Sequence, residues 1–450
     1  MSAANPKIAP GGTWLSEWNP EDAAFWERTG RARAWRTLAI TTANLIMAFI
    51  VWFMVSALVV RLPAVGFKMT TTQLFWLAAM PGLAGGSLRI VHTFMVPMFG
   101  TRHVVSMATL SLLVPAVGWF YAVQDPETPY WMLMGLAFLA GLGGGNFSSF
   151  MPSTSLFFPK RLQGTALAIQ AGIGNFGVSV VQFVTPWIVG FALLGTLAGE
   201  AQIYTKGAVS KPIWLQNAAL VYVPFIAVFA ALAWAGLRSV PVRANFRAQL
   251  DIFREKHTWI MTSLYLMTFG SFSGFSATFP LLIKQIFGKL DGAPDPLAFA
   301  FLGPLVGSAV RVIAGPLSDR WGGAVITQIS GIGLVACALA VTFHTAPESM
   351  AEFPVFVGFM LGLFFFAGIG NASTFKQMPM IFPPRQAGGV IGWTGAIAAF
   401  GPFLFGAFLG WAFAATNSPN VFFHGLAVFY ALNVVLNWFF YARGGAEKPC

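Results

Sequence analysis

The chain alternates between long apolar stretches and short polar ones, and most of the apolar stretches are long enough to cross a bilayer as a helix. We predict twelve transmembrane segments, at about 37–60, 73–98, 104–123, 129–152, 164–194, 214–237, 258–284, 297–318, 323–345, 353–381, 388–414 and 421–442. Six of them precede the charged stretch 238–256 and six follow it. The pattern therefore indicates two halves of six helices each.

The two halves also carry a weak internal repeat. Arg89 is followed eleven residues later by Gly100, and Arg311 is followed eleven residues later by Gly322. Parallel repeats of this kind are typical of transporters built from two helical bundles with a site between them. We predict an all-α membrane protein with a cytoplasmic interfacial segment 1–36, a first bundle 37–237, a cytoplasmic linker 238–257, a second bundle 258–442 and a cytoplasmic tail 443–450.

Composition supports a membrane protein and excludes an ordinary soluble globule. The chain is 56% hydrophobic and only 9% charged, against about 25% charged residues in soluble domains. Its two cysteines, Cys337 and Cys450, form no disulfide or metal framework. We therefore expect no metal and no cofactor.

The basic residues are divided unevenly between alternate loops, which predicts the orientation. The minority side holds Arg61, Lys68, Lys206, Lys211, Lys284 and Lys289. The majority side includes both termini and the linker, and among its basic residues are Lys7, Arg102, Arg243, Arg247, Arg320 and Arg385. Both termini are therefore expected in the cytoplasm, and the net charge of +11 is a topology signal rather than a sign of nucleic-acid binding.

The segment before the first apolar stretch has the pattern of a helix start. Asn19 is placed as a cap, with a proline and two acids in the first turn. Tryptophans and arginines follow one another here, as in helices that lie along a membrane surface. We expect a short amphipathic helix at the cytoplasmic interface that acts as an anchor.

Two arginines lie inside apolar segments in matching places of the two halves, Arg89 and Arg311. Every aspartate and glutamate is expected outside the membrane cores, so neither arginine has a predicted acidic partner. A guanidinium stays charged and presents a planar fork of donors, which suits a small planar oxyanion. The alternative is that each arginine reaches to the interface or braces helix carbonyls. The symmetric pair favours an anion site over this alternative.

Other side chains in the same segments offer hydrogen bonds, stacking or a titrating proton. We single out Asn146 and Asn175 for hydrogen bonding, Phe49, Phe147, Tyr265 and Phe269 for stacking, and His92 and Lys376 for proton coupling. Each has a plainer alternative: the asparagines bind a neighbouring helix, the aromatic rings pack or face lipid, and His92 and Lys376 are packed or interfacial.

Glycines are concentrated in the fourth, fifth, tenth and eleventh segments. The glycines that we assign to two closely packed helices are Gly164, Gly172, Gly174, Gly177, Gly388, Gly392, Gly395 and Gly401. Small residues at such spacings let membrane helices approach closely. Most of them are expected to be packing or hinge positions.

Several motifs in both halves resemble the nitrate/nitrite porter family of the major facilitator superfamily, and most closely its NarK-type bacterial transporters. The motifs are Trp18-Asn-Pro-Glu-Asp22, Leu88-Arg89, Gly172-Ile-Gly-Asn175-Phe-Gly177, Tyr265-Leu-Met-Thr-Phe269, Arg311 and Ser318-Asp-Arg320. The resemblance implies a nitrate or nitrite ion between Arg89 and Arg311, sandwiched by Phe147 and Tyr265, with the two glycine-rich helices as the family's signature helices. The second of these has alanines where the first has Gly174 and Asn175.

We therefore predict a nitrate/nitrite antiporter that works by alternating access. The alternatives are a proton-coupled nitrate or nitrite symporter and, outside the carriers, a passive anion channel. An enzyme is not expected, because the five histidines are scattered and no buried acid accompanies them. The expected partners are nitrate, nitrite and the lipid bilayer, without nucleic acid, and the expected state is a monomer in the bacterial inner membrane.

Overall fold

A computed structural model describes residues 13–206, 209–240 and 247–450 of the chain. Within these residues eleven continuous helices are long and apolar enough to cross a membrane, and the longest, Thr71–Ala122, divides at Gly100 into two spans. The resulting helices are α1 Ala23–Leu58, α2 71–99, α3 101–122, α4 Tyr130–Ser155, α5 Lys160–Ile188, α6 Asn217–Gly236, α7 Lys256–Phe287, α8 Leu297–Trp321, α9 Gly323–His344, α10 Met350–Ile381, α11 Gln386–Thr416 and α12 Asn420–Ala442. The predicted all-α fold of twelve spans is confirmed.

Two glycines make the same tight turn in the two halves. Gly100 between α2 and α3 has φ 78°, and Gly322 between α8 and α9 has φ 89°. Only glycine adopts this backbone region without strain. At Gly100 a side chain would also meet Ser239, whose Oγ lies 2.4 Å from the place of a Cβ. The matching positions of Gly100 and Gly322 in the sequence repeat therefore correspond to the same backbone turn in the two halves.

The N-terminal segment differs from the prediction. The helix cap is Asp22 rather than Asn19, because the Asp22 carboxylate accepts hydrogen bonds from the backbone of Ala24 and Phe25. The helix then runs without a break from Ala23 into the membrane span, through a π-helical turn at Trp26–Gly30. A separate short interfacial helix is not present among the described residues. Apolar burial explains the difference, since Trp26 packs against Phe158 of the α4–α5 connection.

The connection between α5 and α6 also differs from the prediction. The fifth segment was expected to reach residue 194, but α5 ends at Ile188. A two-stranded antiparallel hairpin follows, with β1 at Gln202–Lys206 and β2 at Val209–Ile213. Tyr204 of this hairpin lies under the guanidinium of Arg61, 5.3 Å away. The hairpin therefore covers the end of α1.

The two halves meet along α2 with α11 and along α5 with α8. At the end away from the C-terminus they are tied by polar contacts. Arg61 forms an ion pair with Asp295 of the α7–α8 loop, and Lys284 of α7 donates to the carbonyl oxygen of Val60 at 2.7 Å. The structure is therefore closed at this end.

Some predictions fall on parts of the chain outside the described residues. Lys7 and Arg243 lie there, and so do parts of the interfacial segment 1–36 and the linker 238–257. The described chain places the end of α6 at Gly236 and the start of α7 at Lys256. The division into domains and the orientation of the termini stay predictions.

Candidate functional site

Arg89 is completely buried in α2 and is held by both halves of the protein. Its Nε donates to the carbonyl oxygen of Gly144 in α4 at 2.9 Å, and its Nη1 donates to the carbonyl oxygen of Gly395 in α11 at 2.7 Å. Its Nη2 has no protein partner in the described chain. The guanidinium is thus fixed in orientation with one nitrogen left for a ligand.

Aromatic rings surround the Arg89 guanidinium. Its carbon Cζ lies 4.6 Å from the ring centre of Phe147, 5.0 Å from that of Phe269 and 5.4 Å from that of Trp52. Phe49 packs on both Trp52 and Phe147, at centroid distances of 5.4 and 6.4 Å. Three of the predicted stacking residues therefore gather at Arg89, and Trp52 joins them.

Arg311 lies in α8 and is also buried. Its guanidinium is 5.9 Å from the ring centre of Phe375 in α10, and the ring of Tyr265 packs on Phe375 at a centroid distance of 6.0 Å. Its Nη1 has no hydrogen-bond partner among the described residues. Arg311 therefore also keeps a free donor, on the other half of the protein.

Tyr265 and Phe269 connect the two arginines. Their rings stack at a centroid distance of 5.5 Å and an interplanar angle of 11°, so the pair reaches from Arg311 to Arg89. A π-helical turn at Leu266–Gly270 follows Tyr265 directly and contains Phe269. Such turns are frequent at functional sites because they shift the helical register.

A continuous set of ring contacts joins the two positive charges, from Phe269 at Arg89 through Tyr265 to Phe375 at Arg311. The ion pairs that the described chain contains involve neither of them. Two buried cations without an acidic partner are costly in a low dielectric. The arrangement is suited to an anion that supplies the missing charge.

The two predicted asparagines differ in their surroundings. Asn175 of α5 is completely buried, and neither its amide nitrogen nor its amide oxygen has a partner in the described chain. Asn146 of α4 donates to the carbonyl oxygen of Ala108 in α3 at 3.3 Å. Asn175 is therefore available to a ligand, whereas Asn146 joins two helices.

The two residues predicted for proton coupling are engaged with other side chains. Nδ1 of His92 lies 2.9 Å from the hydroxyl of Ser149 in α4. Lys376 forms an ion pair with Asp319 of the Ser318-Asp-Arg320 motif, and its side chain is 43% exposed. Lys376 thus links α10 to the last turn of α8, at the end that carries the C-terminus.

Four of the predicted signature glycines lie where no larger residue fits. An added Cβ would lie 2.5 Å from Val312 at Gly172, 2.6 Å from Leu45 at Gly174, 2.5 Å from the Ile46 carbonyl oxygen at Gly177 and 2.2 Å from the Gly270 carbonyl oxygen at Gly401. These contacts lie between helices, so the four glycines permit close packing of α5 and α11.

The other four signature glycines are less confined. Gly164 and Gly388 would have nothing within 4 Å of an added Cβ, and Gly392 would meet Thr93 only at 3.6 Å. At Gly395 the nearest atom is Nη1 of Arg89, at 3.8 Å. Gly395 is therefore the glycine of this group that lies at the site.

Sequence reasoning missed Trp52 and Phe375 as neighbours of the arginines. The chain has 16 tryptophans and 46 phenylalanines, so residue type alone singles out neither. The helical spacing from Phe49 to Trp52 is the one signal that places Trp52 near a predicted site residue.

Comparisons with known proteins show the family to which the chain belongs. A match to the Major Facilitator Superfamily covers residues 40–367. The chain is 67% identical over 440 residues to the probable nitrate/nitrite antiporter NarK2 of Thermus thermophilus, covering 98% of this chain and 99% of the relative. It is 38% identical to the nitrate/nitrite transporter NarU of Salmonella typhimurium, covering 97% of each chain.

A solved structure shows the same fold. The crystal structure of a bacterial homologue of the human lysosomal transporter Spinster, in an inward-facing and occupied conformation, matches with a TM-score of 0.61. The match covers 89% of this chain and 93% of that one at 13% identity.

The fold, with its two halves and a buried cationic site between them, is that of a major facilitator superfamily transporter. Within that superfamily the chain belongs to the NarK-type nitrate/nitrite porter family. The family resemblance predicted from the sequence is confirmed.

Proposed function

We propose that this protein is a nitrate/nitrite antiporter that binds its anion between Arg89 and Arg311. The observation that carries the proposal is the pair of buried guanidinium groups, one from each half, each with a donor nitrogen that no described residue uses. The similarity to proteins named as nitrate/nitrite antiporters and transporters supports the choice of substrate.

The site is suited to a small planar anion. Arg89 is fixed by two carbonyl oxygens and keeps Nη2 without a partner in the described chain, so a ligand oxygen meets a donor that is already oriented. The rings of Phe147 and Phe269 lie 6.3 Å apart at an angle of 28° beside this guanidinium. These apolar rings exclude water from the guanidinium, which strengthens each charged hydrogen bond that it makes.

Exchange follows from the charge of the empty site. Two buried arginines repel each other when no anion lies between them, and moving such a site between two conformations is costly. A bound nitrate or nitrite ion removes this cost, so the change between the two conformations is favoured when an anion is bound. Nitrate entering on one side and nitrite leaving from the other satisfy this requirement.

Alternating access requires that the closed end opens. The contacts at that end, Arg61 with Asp295 and Lys284 with the Val60 carbonyl, must then break. At Gly177 of α5 and Gly401 of α11 the glycine lies directly against the backbone of a neighbouring helix. Such smooth surfaces allow one helix to slide along another.

The proton-coupled alternative has less support. His92 is bonded to Ser149 and Lys376 is paired with Asp319, so neither is directed at the anion site.

We place the protein in the bacterial inner membrane with both termini in the cytoplasm, on the basis of its membrane spans and the distribution of basic residues.

Uptake of labelled nitrate into proteoliposomes tests the proposal. Vesicles are loaded with nitrite, nitrate or neither, with and without a proton gradient. We expect uptake only where internal anion is present, with no response to the gradient. Uptake into empty vesicles driven by the gradient would establish symport, non-saturable flux would establish a channel, and absence of uptake would refute the substrate.

A further inference from the structure

A second asparagine, Asn371 in α10, is as isolated as Asn175. It is 1% exposed, and neither its amide nitrogen nor its amide oxygen has a hydrogen-bond partner in the described chain. It ends the string Ala367-Gly-Ile-Gly-Asn371, which repeats Ala171-Gly-Ile-Gly-Asn175. A buried amide without a partner is costly and rare, so its retention in this position calls for a ligand.

The packing of α8 against α10 gives the level of Asn371 relative to the residues of α8. Gly303 lies against Phe364, and one turn further along both helices Gly307 lies against Gly368. The two helices therefore run in the same direction with matching turns. One more turn brings Arg311 to the level of residues 371–375.

The ring contact of Arg311 confirms this register. Its guanidinium lies 5.9 Å from the ring centre of Phe375, and Phe375 is one turn beyond Asn371 on the same face of α10. Gly368, one turn before Asn371, lies on that face as well and touches α8. Asn371 is thus bracketed by two residues that both meet α8, and the Arg311 guanidinium reaches the same stretch of α10.

We propose that Asn371 is a further substrate-binding residue, whose amide nitrogen donates a hydrogen bond to the oxyanion held at Arg311. This inference rests on the proposed function, because it assigns a residue to the same site. The chemistry is that of a neutral donor beside a fixed charge. The amide takes a ligand oxygen that the guanidinium fork does not reach and adds no further positive charge to the empty carrier.

The first test replaces Asn371 with leucine, which has a similar volume and no donor. The matched control is Asn433→Leu in α12, another buried asparagine, whose amide nitrogen bonds within its own helix. We expect Asn371→Leu to raise the KM for nitrate exchange about tenfold and to weaken thermal stabilisation by added nitrate. The control should leave both unchanged. An unchanged KM and an unchanged nitrate-dependent shift in Asn371→Leu would overturn the inference.

The second test, Asn371→Asp, keeps the inference falsifiable if the leucine variant does not fold. A carboxylate beside Arg311 supplies the counter-charge itself, so the empty protein should melt at a higher temperature and nitrate should no longer stabilise it. If Asn371 faces away from Arg311, the buried carboxylate is unpaired and the melting temperature falls instead. Wild-type protein that neither exchanges nitrate nor is stabilised by it would refute the proposed function, which is a separate outcome.

Discussion

Arg89 in the first half of the protein and Gly395 in the second are joined by a hydrogen bond of 2.7 Å, from Nη1 to the carbonyl oxygen. Because Nε binds the carbonyl oxygen of Gly144 at the same time, one side chain spans α2, α4 and α11. The residue that we propose to bind the anion is therefore also a contact between the two halves. Anion binding at its free nitrogen is thus coupled to the relative position of the two halves.

We expect Arg89→Lys to abolish most transport although it keeps the charge. A lysine ammonium is a point charge, and it cannot hold two carbonyl oxygens in fixed directions and still present a donor to the ligand. Loss of one charged hydrogen bond is worth about 1.5–3 kcal/mol, which is about 10- to 100-fold in KM or rate. The measurement is nitrate/nitrite exchange in proteoliposomes.

The control for this variant is Arg31→Lys, since Arg31 lies in an exposed ion pair with Glu27 one turn away. Its exchange should match that of wild type. Full activity in Arg89→Lys would show that the fork of the guanidinium is not required and would remove the basis of the proposed site.

The ion pair between Arg61 and Asp295 gives a second prediction, on conformation. Arg61 is buried, so removal of the carboxylate in Asp295→Asn leaves its charge uncompensated in the closed state. The cost is about 1–3 kcal/mol for a buried donor that loses its partner, and opening of this end relieves it. We expect the open form to become more populated.

The shift can be measured with spin labels at Lys68 and Lys289, exposed positions in the first and second halves at this end, after replacement of the two native cysteines by serine. The longer distance should gain population in Asp295→Asn. Asp291→Asn, which alters an exposed acid of the same loop, should leave the distance distribution as in wild type. Identical distributions in both variants would show that the ion pair does not hold this end closed.

The sequence predicted the twelve spans and the two arginines because both signals are local. Hydropathy over about twenty residues reports a span directly, and a charge within such a run is conspicuous wherever its partners lie. Arg89 and Arg311 could therefore be assigned without knowledge of the packing.

Other features depend on contacts between distant segments and could not be predicted in this way. The pairing of Lys376 with Asp319 requires the register of α10 against the α8–α9 turn. Trp52 and Phe375 become site residues only through helix orientation. The continuity of the N-terminal helix with α1 was missed for a related reason, since burial of Trp26 against Phe158 depends on a distant segment.

The C-terminal tail gives a prediction on pH. A hydrogen bond from Lys256 at the start of α7 lowers the pKa of Glu447 below its ordinary value, and a second hydrogen bond from His257 acts in the same direction. A lowered carboxyl pKa stabilises the folded contact above the ordinary value of 4.5. That contribution falls as the pH drops below this value and is gone below the folded pKa.

Hydrogen exchange of the tail amides, corrected for intrinsic rates, measures this contact. At neutral pH we expect faster exchange over 443–450 in Glu447→Gln than in wild type, and wild type should approach the variant as the pH falls below about 4. Glu127→Gln, in an exposed loop at the opposite end, is the control. Equal protection of the tail in all three proteins at neutral pH would show that Glu447 does not fasten it.

The last prediction concerns the close approach of α11 to α7. At Gly401 an added Cβ would lie 2.2 Å from the carbonyl oxygen of Gly270 and 2.6 Å from the hydroxyl of Ser273. The nearer obstacle is backbone, so the helices must separate. We expect Gly401→Ala to cost about 1–3 kcal/mol of stability and to slow exchange, as measured by thermal unfolding and by initial rates.

The control for this variant is Gly358→Ala, where nothing lies within 4 Å of the new methyl group. Its stability should be unchanged or higher, because alanine favours a helix by about 1 kcal/mol over glycine. Equal losses in both variants would mean that the helical glycines act through chain flexibility and not through the contact of α11 with α7.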